Sequence, residues 1–322
     1  MRTLPYFDAT AVHSALDATA AVEAIRGALR AGFAPSSDIP RSSVPLRQGE
    51  FLLMPSDAGR STGIKVLTVA PGNPSRGLPR IQGLYLLADA ETLTPSALLD
   101  GAALTIVRTP AVSFAPIIDP IRHRQDPLDV VVFGAGPQAV AHFETLRALL
   151  AGARELGEVT TVVRDPDRLP AGTRASAAAS GEVRAALSGA GLVICATTAR
   201  TPLFDSSTLR DDAIVIAVGS HEPDARELDS ALMARAQVVV EDPATALREA
   251  GDVVLAVAEG ALDAASLHAM GDVVGGVPLP AKRPIVVKTT GMSWEDLVIA
   301  EAVVGHGEAA GEDESGRSGA AS

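Results

Sequence analysis

The first third of the chain changes from a helical pattern of apolar positions to a series of short extended runs. Between residues 8 and about 33, apolar residues recur mostly at three- and four-residue spacing, which predicts a helix with one buried face. Between about 39 and 89, short apolar runs are separated by Gly, Pro, Asn and Ser, which predicts an antiparallel meander. A further helix is predicted from about Gly101, and Pro110 would bend it or end a turn within it.

The pattern changes again at Gln125–Pro127, beyond which continuous apolar runs alternate with helical stretches. The strand-like runs are DVVVFGAG, VTTVV, GLVICATT, AIVIAVGS and AQVVVED. Strands that are apolar on both faces and alternate with helices indicate a parallel doubly wound sheet. RPIVVKTT is predicted as its last strand or as the crossing back, and SWEDLVIAEAVV as a helix that begins with a capping box of Ser293 and Asp296. The residues after His306 have no apolar periodicity, which predicts a disordered tail.

Composition narrows the class of protein. A length of 322 residues with 47% hydrophobic and 20% charged residues predicts a globular protein of two domains. The 27 Lys and Arg residues against 39 Asp and Glu give a net charge of −12, which argues against a nucleic-acid partner. No stretch approaches the roughly 20 apolar residues that span a bilayer, and the N-terminus lacks the apolar region of a signal peptide. The single cysteine, Cys195, excludes a disulfide framework and a Cys-rich metal site. We therefore expect a cytoplasmic protein with no membrane partner and no metal.

A glycine-rich hexamer follows the first strand of the predicted parallel sheet and opens the next helix. It reads Gly134-Ala135-Gly136-Pro137-Gln138-Ala139, which matches G-x-G-x-x-G/A. The first glycine permits a tight turn, the second lets the backbone approach a pyrophosphate, and the alanine keeps the helix close to the strand. Backbone N–H groups and the helix dipole then favour an anion. The hexamer predicts a dinucleotide site, and the alternative is an ordinary tight turn without a ligand.

The end of the second strand bears on the choice of dinucleotide. An NAD site normally has an acidic residue there for the ribose hydroxyls, whereas this strand ends with Val162-Val163-Arg164. Arg164 could pair with a 2′-phosphate, so NADP(H) is favoured over NAD(H), although the nearby Asp165 keeps NAD possible. The alternative is that Arg164 is a solvated surface residue.

Other strand ends are expected to complete the cofactor site. Thr197 lies at the end of the ICATT strand and is expected to line the cofactor. Val218 and Gly219, in the AVGS sequence, are assigned to the same site.

Basic residues in apolar surroundings are candidates for holding a substrate carboxylate. Strand alternation places Lys65 on the core face of GIKVLTVAP, where a lysine is costly unless it is paired. Arg108 lies within LTIVRTPAV, and Arg41 directly follows Pro40. Together they could converge on a carboxylate, although surface charges or structural ion pairs are the alternative. His221 follows a predicted strand at the edge that faces the ligand crevice, where it could donate a proton or be a bystander.

Several motifs, in order along nearly the whole chain, resemble the ornithine cyclodeaminase/mu-crystallin family. They are LMPS, GIKVLTVAPGN, ALLDGAALTIVRTPAVS, VVFGAGPQA, AVGSHEPDARELD and KTTGMSWEDL. The resemblance implies an α/β homodimer in which a Rossmann domain of residues 125–288 is inserted into a discontinuous α+β substrate and dimerisation domain, residues 1–124 plus 289–306. It also implies that Arg41, Lys65 and Arg108 occupy carboxylate-binding positions.

Two departures from the cyclodeaminases of this family define the expected activity. Those enzymes carry an acid just before Leu-Met-Pro, where this chain has Leu52, and an aspartate after the fifth Rossmann strand, where this chain has His221. Family members that resemble mu-crystallin also lack that aspartate and reduce cyclic ketimines with a nicotinamide cofactor. The resemblance therefore implies an NAD(P)H-dependent reductase that acts on a small cyclic ketimine carboxylate, and we assign Lys65 and His221 as its candidate catalytic residues. The alternatives are an NAD-dependent ornithine cyclodeaminase, an amino-acid dehydrogenase or imine-forming enzyme of the family, and a non-catalytic NADP(H)-binding protein.

Overall fold

The computed structural model describes residues 3–166, 175–177, 180–279 and 282–318, in fourteen strands and eleven α-helices. The strands are β1 Tyr6–Phe7, β2 Ser42–Leu46, β3 Gly49–Asp57, β4 Ser61–Val69, β5 Ile81–Asp89, β6 Pro95–Asp100, β7 Leu128–Phe133, β8 Leu156–Val163, β9 Ser176–Ala177, β10 Leu192–Cys195, β11 Ile214–Ala217, β12 Gln237–Val240, β13 His268–Ala269 and β14 Ile285–Lys288. The helices are α1 Ala9–Ala15, α2 Ala18–Arg30, α3 Gly101–Phe114, α4 Ile118–Arg122, α5 Pro137–Leu150, α6 Gly181–Gly189, α7 Ser230–Arg235, α8 Pro243–Glu249, α9 Gly251–Ala258, α10 Met270–Val274 and α11 Ser293–Ser318.

The chain divides into two compact units, and the first is discontinuous in sequence. The first unit comprises the residues up to Ala111 and those from Met292 onward, and the second comprises Val112–Gly291. The first boundary therefore falls inside α3, whereas the sequence places it between residues 124 and 125.

A six-stranded sheet forms the core of the first unit, in the order β1-β6-β5-β4-β3-β2. Strands β2 to β5 pair antiparallel, which confirms the predicted meander, and β6 continues it. Met54, Lys65, Tyr85 and Leu99 lie side by side on β3 to β6 and are all buried. We call the face that carries these four residues the inner sheet face. Helix α11 contacts β3, β4, β5 and α2, so it packs along this sheet.

The predicted helix over residues 8–33 is two helices. Leu16 has an extended backbone, with φ of −140° and ψ of 112°, which ends α1. The side chain of Asp17 then accepts a hydrogen bond from the N–H of Ala20 and caps α2. An aspartate at an N-cap stabilises a new helix start, so the continuous apolar stripe is interrupted by a local capping signal.

Eight parallel strands form the sheet of the second unit, in the order β13-β12-β14-β11-β10-β7-β8-β9. This parallel sheet confirms the predicted Rossmann architecture. The RPIVVKTT run is strand β14, and it lies inside the sheet between β11 and β12. The chain leaves β7 toward β8 on one side and returns to β10 on the other, so the strand order reverses between β7 and β10. Ligands of open α/β sheets bind beyond the carboxyl ends of the strands at such a reversal.

Helix α11 continues past His306, where the sequence predicts the start of a disordered tail. Its described length ends at Ser318, and residues 319–322 lie outside the described residues. In the part of α11 after His306, Ala309, Ala310 and three glutamates favour a helix, whereas three glycines disfavour it, so helix propensity alone does not account for the extension. Across the described parts of the chain, no helix combines the length and the apolar character that crossing a membrane requires.

Candidate active site

The glycine-rich turn lies at the reversal point of the parallel sheet. Gly134 follows β7 with a φ of +111°, and a Cβ atom at this residue would lie 2.5 Å from the carbonyl oxygen of Ala196. The Gly134 N–H donates to the carbonyl oxygen of Val162 at 2.9 Å, which ties the turn to β8. Both the left-handed backbone and the close approach of Ala196 require glycine here.

The second glycine of the motif leaves space at the start of α5. A Cβ atom on Gly136 would meet no atom within 4 Å, and Ala135, Gly136 and Pro137 are all exposed. Gly136 is the N-cap of α5 and has no side chain with which to cap it, while Ala139 is buried against the sheet. An open helix N-terminus beside a tight glycine turn fits the pyrophosphate of a dinucleotide.

Arg164 lies where the sequence places it, directly after β8. Arg164 and Asp165 are both exposed, and the last residue of β8 is Val163. The strand therefore ends without the acidic residue that normally binds the ribose hydroxyls of NAD.

A buried glutamate that the sequence analysis did not identify joins two predicted cofactor residues. Glu227 accepts from the N–H and hydroxyl of Thr197 at 2.8 and 2.7 Å, and from the N–H of Gly219 at 2.7 Å. Val218, directly before Gly219, donates its N–H to the carbonyl oxygen of Cys195 at the end of β10, at 3.0 Å. Burial raises the pKa of the Glu227 carboxyl, and Lys288 and the Thr197 hydrogen bond oppose that rise.

Lys65 lies fully buried on the inner sheet face and has a carboxylate partner. Its Nζ atom donates to Oδ2 of Asp296 at 2.7 Å and to the hydroxyl of Thr105 at 3.2 Å. Burial lowers the pKa of Lys65 to about 8, against the opposing effect of Asp296 and with a contribution from the positive charge of Arg108. The two contacts use two of the three ammonium protons.

Arg108 lies beside Lys65 and completes a buried ion network. Its Nη1 atom is 2.5 Å from Oε2 of Glu295, and its Nε atom is 3.4 Å from Oδ1 of Asp296. The side chain of Arg108 keeps 8% exposure, whereas the side chains of Lys65, Glu295 and Asp296 have none. We call these four residues the buried ion network. It contains two cations and two carboxylates, so its formal charges balance.

The predicted capping box at the start of α11 is wrong by one residue. Helix α11 begins at Ser293, and it is Glu295 that accepts the backbone N–H of Met292, at 2.8 Å. Asp296 points instead into the buried ion network. The two acids of SWEDLV lie next to an apolar helical run, and this position is the sequence signal that they could pair with buried cations. The sequence alone does not identify Lys65 and Arg108 as those cations.

Asp38 fixes the segment that carries Arg41. Its carboxylate accepts from the Ser56 hydroxyl at 2.7 Å and from the N–H of Trp294, in the first turn of α11, at 2.9 Å. Burial raises the pKa of Asp38, and these hydrogen bonds oppose the rise. Arg41 follows three residues later, is half-buried, and directly precedes β2. Within the first unit, the structure thus joins Lys65 and Arg108 through Asp296 and anchors the chain beside Arg41.

His221 belongs to the second unit and is exposed. It follows Ser220, whose carbonyl oxygen accepts a hydrogen bond from the buried Lys288 at 2.5 Å. The position beyond the carboxyl end of β11 is the one that the sequence predicts.

Replacing Asp296 with Asn should reduce the free energy of unfolding more at pH 6 than at pH 9. The variant leaves Lys65 buried without its carboxylate, so the pKa of Lys65 in the folded state falls below about 8 and moves further from the unfolded value. The unfolded chain then binds more protons than the folded chain, and stability rises with pH. Removing one partner of a buried pair costs about 3–5 kcal/mol, and we expect a loss of this order at pH 6.

Urea unfolding at the two pH values measures this effect. Asp229→Asn is the matched control, because Asp229 accepts from the N–H groups of Ser206 and Leu232 and from the Ser206 hydroxyl. Its loss of stability should be the same at both pH values. An equal loss at pH 6 and pH 9 for Asp296→Asn would show that Asp296 does not control the proton on Lys65.

Two named enzymes are similar to this chain over most of its length. One is the Delta(1)-pyrroline-2-carboxylate/Delta(1)-piperideine-2-carboxylate reductase of Azospirillum brasilense, at 34% identity over 301 residues, covering 91% of this chain and 93% of the relative. The other is Delta(1)-pyrroline-2-carboxylate reductase 2 of Burkholderia ambifaria, at 32% identity over 310 residues, with coverages of 91% and 93%.

A solved structure and a family profile also match most of this chain. The Delta(1)-pyrroline-2-carboxylate reductase of Thermococcus litoralis, solved with NADH and L-proline, has the same fold, with a TM-score of 0.81 at 24% identity, covering 96% of this chain and 98% of that one. The profile of the ornithine cyclodeaminase/mu-crystallin family matches residues 7–310. The chain therefore belongs to the ornithine cyclodeaminase/mu-crystallin family.

Proposed function

We propose that this protein is an NAD(P)H-dependent reductase of small cyclic ketimine carboxylates. The substrates would be pyrroline-2-carboxylate or piperideine-2-carboxylate, and the products proline or pipecolate. The observation that carries the proposal is the adjacent pair of Lys65 and Arg108 in a unit whose relatives, at 32–34% identity, are named as reductases of these imines. A nicotinamide cofactor supplies the hydride, and the protein supplies binding, orientation and electrostatics.

The cations of the first unit would hold the substrate carboxylate. Arg108 is the partly exposed cation of the buried ion network, and its planar guanidinium can bind a carboxylate through two parallel hydrogen bonds. Lys65 would add positive charge close to the substrate carboxylate. A direct hydrogen bond from its third ammonium proton to that carboxylate requires the side chains that bury Nζ to move. Ser42 pairs with Leu53, on the face opposite Met54, so continuing the alternation by one residue puts Arg41 on the side of Lys65.

The second unit would hold the cofactor and supply the proton. The turn residues from Gly134 to Gln138, with Thr197, Val218 and Gly219, would contact the dinucleotide. The turn and Thr197 follow the two strands at the reversal point, and Val218 and Gly219 follow the adjacent strand β11, which supports this assignment. His221, beyond the carboxyl end of β11, would be the candidate proton donor to the imine nitrogen.

The inner sheet face favours imine reduction over ornithine cyclisation. Leu52 pairs with Leu67, two residues along each strand from the Met54–Lys65 pair, so it lies on the face that carries Lys65. A leucine there gives the distal ammonium of ornithine no negative partner. Burying such an ammonium against apolar atoms is unfavourable.

The purified protein should oxidise NADPH when pyrroline-2-carboxylate or piperideine-2-carboxylate is added. Absorbance of the reduced nicotinamide measures the rate, and ornithine-dependent ammonia release is assayed in parallel. Arg108→Lys should raise KM for the imine about tenfold or more, because an ammonium cannot reproduce the two parallel hydrogen bonds. The dissociation constant of NADPH should stay unchanged. Ammonia and proline from ornithine, without imine reduction, would instead establish the cyclodeaminase.

We propose that NADP(H) is preferred over NAD(H), with Arg164 as the residue that binds the 2′-phosphate. Support comes from the exposed position of Arg164 directly after β8, at a strand end that lacks an acid. A guanidinium pairs with a phosphate through short, charge-assisted hydrogen bonds.

Arg164→Ala should raise KM for NADPH about tenfold and leave KM for NADH within about twofold. The control is Arg147→Ala, which removes an exposed arginine from the last turn of α5 and should change neither value. Initial rates with each cofactor at saturating imine provide the measurement. Equal effects of Arg164→Ala on the two cofactors would exclude a role in reading the 2′-phosphate.

We also propose that the protein is a homodimer, and that the outer face of the six-stranded sheet forms the contact. This outer sheet face, opposite Lys65, carries Val44, Leu46, Phe51 and Leu84, which keep between 36% and 45% exposure. A sheet face that leaves four large apolar side chains exposed is typical of an interaction site. A twofold axis would let the same surface serve both protomers. We place this dimer in the cytoplasm, where thiols such as the buried Cys195 stay reduced.

Leu84→Asp should convert the dimer to a monomer, because a carboxylate buried in an apolar contact costs more than the contact contributes. Sedimentation equilibrium should then give the mass of one chain instead of two. Leu247→Asp, at an exposed leucine of α8 in the second unit, should leave the mass unchanged. A dimer that persists in Leu84→Asp would rule out the outer sheet face as the interface.

A further inference from the structure

The loops that follow β10 and β11 are joined by one carboxylate. Oε1 of Glu227 accepts two hydrogen bonds from Thr197, beyond the end of β10, and Oε2 accepts one from Gly219, beyond the end of β11. The Thr197 hydroxyl, which donates to Glu227, in turn accepts from the N–H of Ala199 at 3.1 Å. Glu227 therefore sets the spacing between the two loops and also the course of the first.

The fit around Glu227 leaves no room for adjustment. A Cβ atom on Gly219 would lie 2.1 Å from the carbonyl oxygen of Thr197 and 2.5 Å from Oε1 of Glu227. Glu227 itself is fully buried, so water does not replace a lost hydrogen bond. The Glu227 carboxylate is the acceptor of all three hydrogen bonds. An ionised glutamate has only acceptor atoms, whereas a protonated glutamate or a glutamine carries a donor on one side.

Two further buried charges hold Glu227 and the second loop. Oδ1 of Asp252 accepts the N–H groups of Glu227 and Leu228 at 2.7 and 2.8 Å, and Oδ2 lies 3.2 Å from the ammonium of Lys288. Lys288, on β14, also donates to the carbonyl oxygens of Ala217 and Ser220 at 3.3 and 2.5 Å. The loop after β11 is thus held at Gly219 by Glu227 and at Ser220 by Lys288.

We propose that Glu227 is a positioning residue for the nicotinamide cofactor, which it serves by fixing Thr197 and Gly219 at the cofactor-binding edge of the sheet. The inference rests on the cofactor site of the proposed function. Glu227 does not touch the cofactor; it acts through the two loops, with Asp252 and Lys288 as its supports. Preorganised backbone groups bind a ligand more tightly than groups that must be ordered on binding.

Glu227→Gln tests this role with a minimal change of shape. The amide NH₂ would face either the Thr197 donors or the Gly219 N–H, so at least one loop must move. The dissociation constant of NADPH, measured by the fluorescence of the bound nicotinamide, should rise about tenfold or more. KM for the imine at saturating NADPH should stay within about twofold of that of the unmodified chain.

Asp229→Asn is again the matched control. Its carboxylate also accepts two backbone N–H groups and one hydroxyl, but it joins the turn at Ser206 to the start of α7. It should lower the unfolding midpoint in urea and leave the dissociation constant of NADPH unchanged. A tenfold higher dissociation constant of NADPH in Glu227→Gln alone supports the positioning role of Glu227. An unchanged dissociation constant in Glu227→Gln, or an equal change in both variants, overturns it.

Asp252→Asn keeps the test decisive if Glu227→Gln does not fold. The variant weakens the hold on the backbone of Glu227 while leaving the Glu227 side chain in place, so the dissociation constant of NADPH should rise in the same direction by a smaller factor. No change would overturn the proposal. Binding of NADPH or NADH to the unmodified chain is measured first, and its absence would refute the proposed cofactor site itself, separately from the role of Glu227.

Discussion

The first unit depends on a single requirement, that the ammonium of Lys65 be neutralised where no water reaches it. An unpaired charge in such a position is strongly unfavourable, and the carboxylate of Asp296 at 2.7 Å supplies the compensation. Lys65 belongs to β4 and Asp296 to α11, 231 residues apart, so one ion pair fixes the C-terminal helix on a sheet built from the N-terminal third of the chain. Arg108 and Glu295 extend the constraint to α3 and balance the charge. A substrate carboxylate would enter a site whose cations already have partners, and geometry more than net charge would then decide which anion is accepted.

Patterns with a local cause were predictable from the sequence. The glycine-rich turn, the parallel strands and the meander each follow from backbone sterics or side-chain periodicity within a short window, and the structure places them as the sequence predicts. Gly134 shows why: its left-handed backbone is a property of one residue. The burial of Lys65 could likewise be predicted from the sequence, because strand alternation alone assigns its side chain to the core face.

The partners of these residues were not predictable, because they come from distant parts of the chain. Asp296 looked like a local helix cap, since a cap and a buried counter-ion leave the same sequence signal, and only the packing of α11 distinguishes them. Glu227 lies in a polar loop sequence where nothing indicates burial. It can accept hydrogen bonds from both Thr197 and Gly219 only because β10 and β11 are adjacent in the folded sheet. The break between α1 and α2 was missed for the opposite reason: a strong local cap at Asp17 interrupts a stripe that periodicity treats as continuous.

The position of β14 has a consequence for how the protein is made on the ribosome. This strand fills the gap between β11 and β12, yet it follows both of them in sequence, and α11, which packs on the sheet of the first unit, comes directly after it. Neither unit can therefore reach its final form before β14 and α11 have been synthesised, and until then β11 and β12 each have an unpaired edge. Exposed edges of this kind are prone to wrong pairing, and pairings distant in sequence form slowly. Folding of both units thus depends on the segment from residue 285 onward, and a product that stops short of it would lack an interior strand of one sheet and the helix that packs on the other.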